Sequence, residues 1–107
     1  MPETVYRFNS ADKKLIERIV DDANVNINHM VLPQGAAMPE HFSNSNVYLI
    51  VVRGEMTLRL GEEAEQAYPA GSIVNVPFNV KMNIGNTRED VLEFFVVKAP
   101  HPKDMQR

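Results

Sequence analysis

An all-β fold is predicted for this 107-residue chain from three features. Short apolar runs, alternating or β-branched, recur at a spacing of about ten residues. Turns bearing glycine, proline or asparagine separate them. Helical periodicity extends over no more than a single short stretch. Together these point to one domain, residues 1–107, built as a β-sandwich or closed barrel with its core at about 25–98.

Residues 1–12 read as a loosely structured lead-in. In Lys14 to Val20, the residues Leu15, Ile16, Ile19 and Val20 fit a helix face that Ser10 caps, or equally a short edge strand. Asp21 to Asn24 is a turn. The next strand has Val25, Ile27, His29 and Val31 on one face and Asn26, Asn28, Met30 and Leu32 on the other. Pro33, Gly35 and Pro39 break it into a loop. Val47 to Arg53 is a β-branched strand stopped by Gly54, and Glu55 to Leu60 follows with Met56, Leu58 and Leu60 inward. Turns at Gly61 and at Pro69 to Gly71 precede a strand from Ile73 to Val76, which Pro77 ends. Val80, Met82 and Ile84 alternate with Lys81 and Asn83. Val91 to Lys98 is the last strand, with Leu92, Phe94 and Val96 facing away from Val91, Phe95 and Val97. Residues 99–107 form a polar tail.

Composition narrows the chemistry. Apolar residues make up 44% and charged residues 23%, as in ordinary globular domains. The absence of cysteine removes disulfides, cysteine-zinc sites, thiol nucleophiles and iron–sulfur clusters. A net charge of −3 argues against a nucleic-acid partner. The first ten residues are polar, with no apolar stretch of signal-peptide type behind them. The longest apolar run, Val47 to Val52, is too short to span a bilayer. No membrane partner and a cytoplasmic location are therefore expected. Phosphate-loop, dinucleotide, zinc-protease and nucleophile-elbow motifs do not occur, and no helix-turn-helix accompanies the strands.

Gly35, five residues, His41 and then Gly54 resembles the first signature of the cupin superfamily. Gly71, five residues, Pro77 and then Asn86 resembles the second, with Pro69-Ala70-Gly71 as a typical lead-in. The resemblance implies a small jelly-roll barrel that pairs into a homodimer. The doubly apolar last strand agrees, because Val91, Phe95 and Val97 need a second cover. In metal-binding cupins four inward positions, usually three histidines and a glutamate, hold the ion. Here the resemblance places His41, Ser43, Val47 and Met82 at those positions, and Asn79 where a glycine is usual. One imidazole, a hydroxyl, an alkyl group and a thioether make a poor set for zinc, iron, manganese or nickel.

The expectation is therefore a metal-free barrel that binds a small, largely apolar molecule between His41, Ser43, Val47 and Met82, with no cofactor. The alternative is a metal-assisted oxygenase or isomerase that uses one transition-metal ion on His41 with atypical partners. Met82 beside His41 would suit Cu(I). A third possibility is a domain that only scaffolds a partner. His41 is either a ligand or proton-transfer group at the barrel mouth or a half-exposed histidine bonded to a carbonyl. Ser43 shares its inward phase, whereas Asn44, Ser45 and Asn46 read as loop chemistry. His29 joins His41 if its face points inward and is otherwise a surface or interface group. His101, between two prolines, is expected in solvent, Tyr48 outward or in a subunit contact, and Glu62, Glu63 and Glu65 in a solvated turn.

Overall fold

Alternation of apolar and polar side chains organises the chain into two facing sheets. The computed structural model describes residues 2–105. Among them the strands are β1 (Leu15–Asp21), β2 (Asn26–Leu32), β3 (His41–Phe42), β4 (Val47–Arg53), β5 (Glu55–Leu60), β6 (Gln66–Pro69), β7 (Ile73–Val76), β8 (Lys81–Gly85) and β9 (Leu92–Lys98). One sheet has the order β1-β2-β9-β4-β7 and the other β3-β8-β5-β6. All pairings are antiparallel. This is the jelly-roll arrangement, with the two sheets left unjoined along the edges rather than closed into one continuous ladder.

The inner faces meet in a core of Leu32, Val47, Leu49, Met56, Val76, Leu92 and Phe94, all inaccessible to solvent. Each such side chain contributes roughly 1.5–3 kcal/mol of burial, which sets the inward phase of every central strand. The phase of β9 is the one expected, with Leu92, Phe94 and Val96 inside.

The ambiguous stretch resolves as a strand, Leu15–Asp21. A register shift between Arg18 and Val20 inserts one extra residue in β1. That bulge turns a period of two into the spacing of Leu15, Ile16, Ile19 and Val20, which also fits a helix.

The sharp corner between β4 and β5 needs its glycine. Gly54 has φ +77°, and a Cβ there would lie 2.3 Å from the carbonyl oxygen of Val91. Asn79, in the place of a family glycine, keeps the same left-handed backbone at φ +64°. Asparagine tolerates that region better than other non-glycine residues.

The outer face of the five-stranded sheet is covered in part by the lead-in. Phe8 packs on His29 and Phe95, with ring centroids 4.7 and 4.9 Å away. Some of the cover that β9 requires thus comes from the chain itself.

Candidate functional site

Where the inner faces of β2, β8 and β9 diverge, a cavity of about 150 Å³ remains between the sheets. Its floor is apolar: Met30, Met82, Ile84, Phe94 and Val96, all buried, with Met38 from the loop before β3. Its mouth carries three polar side chains, Asn28 from β2, His41 from β3 and Lys98 from the end of β9. A larger groove of about 350 Å³ between residues 34–38 and 83–87 is shallow and open to water.

His41 and Met82 face each other as register partners across β3 and β8, and both line the cavity. The His41 Nδ1 lies 2.9 Å from the carbonyl oxygen of Pro39. That carbonyl can only accept, so Nδ1 carries the hydrogen and Nε2 is the free atom. Ser43 and Val47 stand elsewhere. The Ser43 hydroxyl donates to the Pro77 carbonyl at 2.6 Å and accepts from the Val80 amide at 2.8 Å, which ties the loop before β4 to the turn after β7. Val47 is packed in the core and is not part of the cavity lining. Of the four residues expected to form the pocket, His41 and Met82 line this cavity, whereas the Ser43 hydroxyl is engaged by Pro77 and Val80 and Val47 is packed in the core.

The other seven lining residues lie outside the family positions. Met30 and Asn28 follow from the inward phase of β2, and Lys98 from that of β9, two residues after Val96. Lys98 is half-buried, and burial, with the Arg18 guanidinium nearby, lowers its pKa below the usual lysine value. Among the described residues it has no carboxylate within ion-pair distance.

His29 is neither inside the barrel nor exposed. It is fully buried on the outer face of the sheet, beneath Phe8. Its Nδ1 is 2.7 Å from Glu17 Oε2 and its Nε2 is 2.7 Å from Glu93 Oε2. Each ring nitrogen thus faces a carboxylate oxygen within hydrogen-bond distance. Arg53 then bonds Glu93, Asp12 and the Ala11 carbonyl. The hydrogen bond from His29, supported by Asn9, holds the Glu17 carboxyl below its usual pKa despite partial desolvation. This cluster fastens the lead-in and contributes nothing to the cavity. His101 is likewise drawn out of solvent, with Nε2 bonded to Asp21. Tyr48 faces outward as expected.

No family model matches the chain. It is 55% identical over 106 residues to an uncharacterized protein of Methanocaldococcus jannaschii, covering 98% of this chain and 91% of that one. Among solved structures, a crystal structure of an RmlC-like cupin family protein with a double-stranded β-helix fold, also from Methanocaldococcus jannaschii, superposes with a TM-score of 0.93. It is 56% identical and the match covers 96% of this chain and 95% of that one. A cupin superfamily protein from Desulfitobacterium hafniense shares the fold at 11% identity, with a TM-score of 0.74 over 88% of this chain and 84% of that one. The two signatures, the jelly-roll sheets and this kinship over nearly the whole length agree, and the chain belongs to the cupin superfamily.

Proposed function

We propose that the chain is a small-molecule-binding cupin that works without a resident metal ion. The observation that carries this reading is the cavity between the sheets, apolar in its floor and polar only at its mouth. Apolar cavities of about 150 Å³ stay dry in proteins and accept a benzene-sized guest. The donor set does not fit the ions that cupins usually hold. It offers one imidazole nitrogen, neutral thioethers and no carboxylate, and it places the Lys98 ammonium beside them. Zinc, iron and manganese require several imidazole or carboxylate donors.

The test is a titration with benzyl alcohol, a neutral probe of suitable size, in protein carrying 13C-methyl methionine. The methyl signals of Met30, Met38 and Met82 are expected to shift and saturate, while that of Met56, in the core beyond the cavity, holds still. Elemental analysis of untagged protein is expected to show less than about a tenth of an equivalent of any transition metal. Unmoved cavity methyls, or stoichiometric metal restored on reconstitution, would overturn the reading.

Pairing into a homodimer belongs to the same proposal. Tyr48 and Ile73 stand exposed on the outer face of the five-stranded sheet, and Val5 and Tyr6 stand exposed in the lead-in. A second copy is a chemically suitable cover for such apolar surface. Sedimentation velocity is expected to give the mass of two chains, and a monomer at high concentration would refute it.

A further inference from the structure

The charge at the cavity mouth is not explained by an apolar guest alone. The chain has 14 acidic residues against 11 lysines and arginines, yet no aspartate or glutamate lines the cavity. The strand phase of β9 instead turns Lys98 inward, behind Leu92, Phe94 and Val96. An ammonium half-removed from water costs free energy unless an opposite charge meets it. Among the described residues no carboxylate does so. Another cation, Arg18, acts on it as well, and its pKa-lowering effect adds to that of burial. Arg18 is the register partner of cavity-lining Asn28, and its own ion pair with Asp21 is long, 3.5 Å. The Asn28 side-chain amide offers N–H donors at the same mouth.

Resting on the reading of the cavity as a ligand site, we propose that its occupant is a small monocarboxylate, with the carboxylate held by Lys98 and the Asn28 amide and an apolar body of about six carbons seated on Met30, Met82 and Phe94. A carboxylate supplies the missing counter-charge and accepts hydrogen bonds from Lys98 Nζ and the Asn28 amide. Inorganic phosphate or sulfate would leave the apolar floor empty. A long-chain fatty acid exceeds the volume. A neutral aromatic molecule would fill the floor and leave Lys98 unpaired.

The test compares sodium benzoate, benzyl alcohol and sodium acetate by calorimetry and by the methionine methyl signals, in the wild type, Lys98→Met and Lys98→Arg. Wild type is expected to bind benzoate roughly tenfold or more tightly than benzyl alcohol, and acetate weakly. Lys98→Met is expected to lose that preference, with benzyl alcohol affinity changed little, and Lys98→Arg to keep most of it. Equal affinity for benzoate and benzyl alcohol overturns the carboxylate assignment while the cavity reading stands. Binding of neither probe overturns both. Acetate binding as tight as benzoate overturns the apolar body, and a benzoate preference that survives Lys98→Met overturns the role of Lys98. If Lys98→Met does not fold, the wild-type comparison still decides the ligand class.

Discussion

Gly54 is the position where a single methyl group has most to disturb. Its backbone is left-handed, and the space a Cβ would need is filled by the Val91 carbonyl and the Leu92 Cα, both main-chain atoms that cannot turn aside. Gly54→Ala is expected to cost on the order of 3 kcal/mol, measured by urea unfolding, whereas Gly61→Ala, where nothing lies within 4 Å, bears only the cost of the backbone conformation. The glycine was legible in the sequence because a corner between two apolar strands demands it. Asn86 was legible as a family position but not in its role. Its buried side chain donates to the Leu32 and Asp90 carbonyls and accepts from the Arg88 amide, so it stitches the end of β2 to the loop before β9. Lys98 was the hardest to see. A lysine at the end of an apolar strand reads as the place where the strand meets water, and only its phase with Val96 reveals that it turns inward. Ser43 shows the converse: its inward phase was legible, but the Pro77 and Val80 groups that engage it come from a distant segment.

At the level of strands, apolar β-branched runs between turn residues identified β4 and β7, and period-two alternation identified β2, β5, β8 and β9. It failed at β1, where a bulge adds a residue and the edge position buries little more than Val20. It was silent on β3, which has two residues and is held by pairing with β8 rather than by any pattern of its own. Orientation of β2 was the costliest gap. Both of its faces are largely apolar, and both are buried, one in the core and one beneath the lead-in. His29 therefore belongs to a layer that the sequence pattern could not announce: Glu17 is its register partner on β1, and Glu93 lies two residues from its register partner Phe95 on β9.

Three carboxyls of the molecule carry its acid sensitivity: Glu62, bonded to Lys81, and two that are bonded to histidines. Glu17, through His29, and Asp21, through His101, both titrate below their ordinary values in the folded state. A carboxyl whose folded pKa is depressed stabilises the fold fully above its unfolded pKa, about 4. That contribution is lost as pH falls through the lower, folded value. The urea midpoint is therefore expected to hold steady from pH 7 down to about 5 and to fall below about pH 4, with Glu17→Gln flattening the decline. A midpoint that rose on acidification would contradict the assignment. The strand order carries a different consequence, for synthesis. β9, made last of all the strands, lies in the middle of the five-stranded sheet between β2 and β4. Until it emerges from the ribosome, the β1-β2 hairpin and the β4-β7 pair are halves with no common edge. They cannot join before β9 has been made, and every nascent chain passes through a stage in which two greasy sheet edges await the same segment.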